Sequence, residues 1–166
     1  MTLGEQLIRD RKKIQRQWFQ DVLEGFPKQS RYLIAGDEDR FTNPIGFTLN
    51  EGIEEVYAAV SGEKTVEEID EGLSRLIKFK AVQKKDEQTG DLDFLVSLKR
   101  IIRKACGVEK AGFNDYQALM DIEDRIDRII LKAHNIFVAS REKILELQVN
   151  EMKNKTYSLR RLSGEL

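Results

Sequence analysis

The chain has 166 residues, of which 34% are charged and 40% are hydrophobic, and its formal net charge is −1. This length suits one domain with its own core, and the composition is too apolar for a disordered protein and too charged for a membrane protein. The balanced charge does not favour a nucleic-acid partner. The start, MTLGEQLIRDRKK, lacks a long apolar run, so we expect no signal peptide, no membrane insertion and a cytoplasmic location.

Apolar residues recur at helical spacing from the start of the chain, and its two prolines mark breaks between helices. The spacing predicts a first helix over residues 3–25, which the string Gly25-Phe26-Pro27 ends. A short helix is predicted over residues 28–35.

Asn43 and Pro44 predict the start of the next helix, because asparagine caps free backbone N–H groups and proline fits the first helical position. Gly46 in the first turn predicts a close approach by another helix. Phe41 is expected to anchor this turn in the core.

Two further helices are predicted before the last segment. Thr65, with Glu68 three residues later, forms a capping box that predicts a helix start. The polar run from Lys84 to Gly90 predicts a loop, and residues 91–106 return to helical spacing. No segment alternates in the pattern of a strand, so the sequence predicts an all-α fold.

The last segment runs from Asn114 to Ser163 without glycine or proline, which predicts one long C-terminal helix. Two apolar rows follow it, offset by roughly 100° around the helix axis. The first row comprises Leu119, Ile122, Ile126, Ile130, Ala133, Phe137, Ser140, Ile144 and Leu147. The second row comprises Val138, Leu145, Val149, Met152 and Leu159.

The two rows predict two different packing partners for the last helix. The first row is expected to pack on the core of the domain. The second row predicts a dimer interface with a second copy of the chain, because two apolar rows near a chain end usually need two surfaces. The alternative is one wide face buried inside a single bundle. We therefore divide the chain into a helical sensor-like domain, 1–140, and a projecting C-terminal helix, 141–166.

Little in the chain suggests catalysis. It has no glycine-rich phosphate loop, HExxH, CxxC or GxSxG motif, so we predict no catalytic residue and no metal site. His134, the single histidine, could ligate a haem but is expected to border the core. Cys106 is expected to be a buried thiol, although Arg103 and Lys104 could lower its pKa.

The acidic run Asp121, Glu123, Asp124 and Asp127 could bind a metal, but surface ion pairs with basic neighbours are the simpler expectation. Aromatic and aliphatic residues on converging helix faces predict a modest ligand pocket, with a tightly packed core as the alternative. The residues of this predicted pocket are Tyr57, Leu76, Phe94, Leu98 and Phe137.

Three parts of the chain resemble the N-terminal sensor domain of RsbR/RsbRD-type proteins, which are co-antagonists in bacterial stress signalling. They are Arg40-Phe41-Thr42-Asn43-Pro44-Ile45-Gly46-Phe47-Thr48, Lys80-Ala81-Val82-Gln83 and the run from Arg141 through Leu147 and Glu151 to Asn154. The resemblance covers nearly the whole chain. It implies a globin-like helical bundle without haem that dimerises, with the long C-terminal helix as a linker to an output domain.

In the longer members of that family a STAS domain follows the linker helix, whereas this sequence ends near Leu166. We therefore expect a stand-alone, non-catalytic sensory or regulatory domain that signals as a homodimer to a regulatory protein partner. We expect no cofactor. A haem- or small-ligand-binding globin-like protein is the alternative, followed by a pure assembly module and then by an enzyme.

Overall fold

The computed structural model describes residues 1–36, 39–82, 91–110 and 113–164. Within these ranges the chain forms seven α-helices and no strand, which confirms the all-α prediction. None of these helices is long and apolar enough to cross a membrane. The helices are α1 (Leu3–Arg9), α2 (Arg11–Glu24), α3 (Lys28–Ile34), α4 (Pro44–Ser61), α5 (Asp70–Val82), α6 (Asp93–Ala105) and α7 (Tyr116–Ser163).

The helix predicted over residues 3–25 is two helices, because the chain bends at Asp10. Aspartate is a poor residue for a helix interior, since its carboxylate competes for local hydrogen bonds. Here that carboxylate accepts two hydrogen bonds from the guanidinium of Arg9, at 2.9 and 3.0 Å. The apolar period does not indicate the bend, because Leu7 and Ile14 are buried on either side of it.

The core forms where α4 and α5 pack against the first half of α7, while α2 packs against α6. Two fully buried aromatic residues tie these helices together through the backbone. The indole N–H of Trp18 donates to the carbonyl of Phe94 at 2.6 Å, and the hydroxyl of Tyr57 donates to the carbonyl of Leu7 at 2.9 Å. An unpaired buried donor would cost about 1–3 kcal/mol, so both hydrogen bonds fix where these helices meet.

The turn before α4 is held by Asn43, as the sequence predicts. Its side-chain oxygen accepts from the N–H of Gly46 at 3.0 Å, and its side-chain amide donates to the carbonyl of Ile34 at 2.8 Å. One side chain therefore caps α4 and joins it to the end of α3. Phe41 is 93% exposed, so the prediction that it anchors the turn in the core is wrong. The buried polar side chain of Asn43 holds the turn instead.

The capping box before α5 is present, but the helix begins later than predicted. Thr65 and Glu68 exchange hydrogen bonds between side chain and backbone at 2.7 and 3.3 Å. The next residues form turns, and α5 starts at Asp70. The loop predicted from Lys84 to Gly90 lies outside the described residues.

The long helix α7 is fixed to the domain by side-chain hydrogen bonds to backbone groups of other segments. At its start, the carboxylate of Asp115 accepts from the N–H of Leu3 at 2.9 Å. Further along, three cationic side chains reach carbonyls at the end of α4, before α5 and near the end of α5. The pairs are Arg125 with Val60 (3.0 Å), Lys132 with Val66 (3.1 Å) and Arg141 with Ala81 (2.9 Å).

Candidate functional site

The last helix leaves the domain gradually along its length. Its first row is buried at Leu119, Ile122, Ile126 and Ala133, as predicted, whereas Ile130 is half-buried and its neighbour Ile129 is buried. The row is half-buried at Phe137, Ser140 and Ile144. From Leu145 to Gly164 every residue is exposed. Leu147 is 57% exposed, so the prediction that it packs on the core is wrong, because the domain ends before it.

The five residues of the second predicted row lie on the surface of α7, and no other part of the described domain buries them. We call these five residues the tail face, and their exposed fractions range from 39% at Val138 to 67% at Leu159. Leu145, Val149 and Met152 follow one another at intervals of about one helical turn, and an exposed apolar patch of this kind can mark a contact with another molecule. The tail face comprises Val138, Leu145, Val149, Met152 and Leu159.

Charged side chains line both edges of the tail face. Glu146 pairs with Lys143 at 3.3 Å, and Lys155 pairs with Glu151 at 2.8 Å. These pairs are exposed and lie within one helix, so each contributes little stability. Their carboxylate and ammonium groups stay accessible to a second molecule that packs on the tail face.

Four of the five residues predicted to line a ligand pocket are closely packed in the core. Tyr57, Leu76 and Leu98 are fully buried and Phe94 is 4% exposed, whereas Phe137 is half-buried at the edge. The ring of Phe94 stacks on Trp18 with 6.2 Å between ring centres. The predicted pocket among these residues stays a prediction, and the structure gives each of them a packing role.

A groove that the sequence did not predict separates α2 from α4 and has a volume of about 670 Å³. Its floor is apolar, with cations on the α2 side and carboxylates on the α4 side. No ion pair joins these charged groups within the described part of the chain. The groove is lined by Lys12, Arg16, Phe19, Ile53, Glu51 and Glu54, among other residues.

Lys80 is a partly buried cation that the sequence also did not single out. Its ammonium group donates to the carbonyl of Val22 at 3.0 Å and lies 5.3 Å from the ring centres of both Phe26 and Phe94. Burial lowers the pKa of Lys80 to about 8, against a smaller opposing effect of Asp91. Gly25 leaves the space for this ammonium, because a Cβ at that position would collide with it.

We expect Lys80 to make the stability of the protein rise with pH in the alkaline range. Its pKa is about 8 in the folded protein and 10.5 ordinarily, so the unfolded chain binds the proton more tightly. The free energy of unfolding should therefore rise between about pH 8 and 10.5 relative to a Lys80→Met variant. Urea unfolding of both proteins across this range measures the difference. Cys106 and Tyr57 are present in both proteins, so their contributions cancel in the comparison. A difference in the free energy of unfolding that stays constant with pH would contradict the prediction.

The remaining candidate residues lie in the packed core or form ion pairs on the surface. Burial raises the pKa of the Cys106 thiol to about 11, and Arg103 instead binds Glu123 at 2.6 and 2.9 Å, so the activation of this thiol by Arg103 is not observed. Two members of the acidic run form surface ion pairs, Glu123 with Arg103 and Asp127 with Lys99 at 2.6 Å, but both partners are on α6 and not among the neighbours on α7.

His134 lies on the exposed side of α7, so the prediction that it borders the core is wrong. Within the described ranges, no group of three or more histidine, cysteine, aspartate or glutamate side chains is arranged to hold a metal ion.

Comparison with known proteins gives no relative for this chain. No protein-family model, no curated protein and no solved structure matches it. Functional inference therefore depends on the tail face, the groove and the way α7 is joined to the domain.

Proposed function

We propose that this protein is a non-catalytic sensory or regulatory domain that signals as a homodimer to a protein partner. The proposal includes a globin-like arrangement of the helices, as in the RsbR-type N-terminal domains that the sequence resembles. The observation that carries it is the tail face, an exposed apolar row on a helix that continues from the core into solvent.

The contacts of α7 support a signalling role in addition to an assembly role. Arg125, Lys132 and Arg141 bind backbone carbonyls at the end of α4, just before α5 and near the end of α5. A rearrangement of α4 or α5 would change these contacts and displace α7, because the helix has no glycine or proline at which it could bend independently. The tail face belongs to the same helix, so such a change would reach the surface that a partner contacts.

Sedimentation velocity tests the dimer on which the proposal depends. We expect the wild-type protein to sediment as a dimer at micromolar concentration, since burial of the tail face against a second copy removes apolar surface from water. A protein that stays monomeric through the micromolar range would contradict the proposed function.

The groove between α2 and α4 favours a second candidate function, the binding of a small ligand. Its buried lining residues Phe19, Ile34 and Ile53 are apolar, and charged and amide side chains form the larger part of its lining. Groups of both signs at its rim suit a zwitterionic or amphipathic molecule. Native mass spectrometry of the purified protein tests for a retained molecule, and its visible absorption spectrum tests for haem. Retention that is lost in an Arg16→Glu variant would assign the ligand to this groove.

A further inference from the structure

The tail face has the spacing of a coiled coil. Four of its residues recur every seven positions, so they occupy one equivalent site in successive heptads. A second set of positions, each four residues after a member of the first set, is mixed in polarity. The first set is Val138, Leu145, Met152 and Leu159. The second set is Glu142, Val149, Thr156 and Ser163.

A parallel, in-register pair of these helices would bring like charges together. Each residue of the second set would face its own copy, so Glu142 would face Glu142 across the interface. At the flanks, Lys155 of one chain would face Arg160 of the other, twice by symmetry. Like charges at these positions destabilise a coiled coil.

The parallel arrangement gains one kind of favourable flanking contact, between Arg141 and Glu146 of the other chain, which symmetry also repeats. Arg141 is already engaged, because its guanidinium donates to the carbonyl of Ala81 at 2.9 Å within its own domain. Forming the contact between chains would require this internal hydrogen bond to break. The parallel pair therefore combines repulsion at two positions with an attraction that competes with the fold.

An antiparallel pair avoids these repulsions in one register, in which Val149 lies beside Met152 of the second copy. Glu146 then faces Lys153 of the second copy, and symmetry repeats this attraction. Glu142 lies next to Arg160 of the second copy, and Lys155 faces the neutral Gln148. Opposite charges at the flanking positions are the feature that sets orientation and register in coiled coils.

Neighbouring antiparallel registers lose part or all of this advantage. A shift by one heptad in one direction places Glu146 opposite Arg160, which is attractive, but it also places Lys153 and Lys155 each opposite its own copy. A shift in the other direction places Glu146 opposite its own copy and Arg141 opposite Lys155. Both shifts bring like charges together that the register with Val149 beside Met152 keeps apart, so the charge pattern favours that register.

From this pattern we infer that the tail face binds the tail face of a second copy in antiparallel orientation, with Val149 beside Met152. This inference rests on the dimer of the proposed function and specifies its geometry. The helices overlap from Val138 to Ser163, which corresponds to about 39 Å at ~1.5 Å per residue. The two domains then lie at opposite ends of the shared helix pair, and the end of each tail reaches the domain of the other chain.

Charge reversal tests the orientation. Glu146→Lys and Lys153→Glu should each weaken the dimer about tenfold, because each variant replaces two attractive pairs with two repulsive ones. The double variant should return the dissociation constant to within about threefold of wild type. Lys155→Glu is the matched control, since it faces Gln148 in the antiparallel pair and should change little. In a parallel pair it would face Arg160 and tighten the dimer, which would overturn the inference.

Disulfide trapping gives a second test in a Cys106→Ala background. Leu145→Cys and Thr156→Cys should cross-link only when the two variants are mixed, because residues 145 and 156 are adjacent in the antiparallel pair. Each variant alone separates its two thiols by ~16 Å along the axis, beyond the reach of a disulfide. Efficient cross-linking of either variant alone would overturn the antiparallel geometry while leaving the dimer intact. A monomeric wild type would instead overturn the proposed function itself.

Discussion

Replacing Leu145 and Val149 together with glutamate should convert the dimer into monomers. Each chain would lose two buried apolar side chains and place two like charges in the interface. We expect the dissociation constant to rise at least ~1,000-fold, or about 4 kcal/mol. Sedimentation velocity across a concentration series measures this change.

Leu147→Glu is the matched control for that experiment. Leu147 is 57% exposed, close to the 53% of Leu145, but lies on the other side of the helix from the tail face. It should therefore leave the dimer intact, and the fluorescence of the buried Trp18 should show a folded domain in every variant. A double variant that stays dimeric, or a control that dissociates equally, would exclude the tail face as the interface.

Gly46→Val should be strongly destabilising. A Cβ at this position would collide with the carbonyl of Ile34 and with the side-chain amide of Asn43, which caps α4. Overpacking costs about 1–3 kcal/mol, and loss of the cap adds about 1 kcal/mol. Urea unfolding, followed by Trp18 fluorescence, measures the expected total of about 2–4 kcal/mol.

Gly4→Ala is the control for Gly46. A Cβ at Gly4 would meet only the Thr2 hydroxyl, at 4.0 Å, so this substitution in an exposed helix should stabilise by about 0.5–1 kcal/mol. If Gly46→Val unfolds at the same urea concentration as wild type, the contact between α3 and α4 is not tight and the prediction fails.

Features set by neighbouring residues were predictable from the sequence. Asn43 and Pro44 begin α4 as expected, because a cap depends on a single turn. The extent of α7 was also predictable, since no glycine or proline interrupts it. Glu68 forms its capping hydrogen bond with Thr65, yet the helix starts at Asp70. The local hydrogen bonds were thus predictable, but the point at which the chain becomes helical was not.

Features set by distant contacts were not predictable. The bend at Asp10 interrupts neither the apolar period nor the burial on its two sides. The groove depends on the separation of α2 and α4, which adjacent residues do not encode. Lys80 shows no distinctive motif, and its environment appears only when Phe26 and Phe94 approach it from other helices. The tail face was predicted because its period lies within one helix.

The exposure of α7 beyond Ile144 links its helical structure to association. From Leu145 to Gly164 every residue is exposed, and helices in proteins gain most of their stability from tertiary packing. The free energy that orders this segment must therefore come partly from whatever covers the tail face. The helical signal per residue in circular dichroism should increase with protein concentration as monomers associate. In the dimer this segment is already ordered, so a partner binds it without the cost of ordering. A partner that binds the monomer must order the segment itself and therefore binds more weakly.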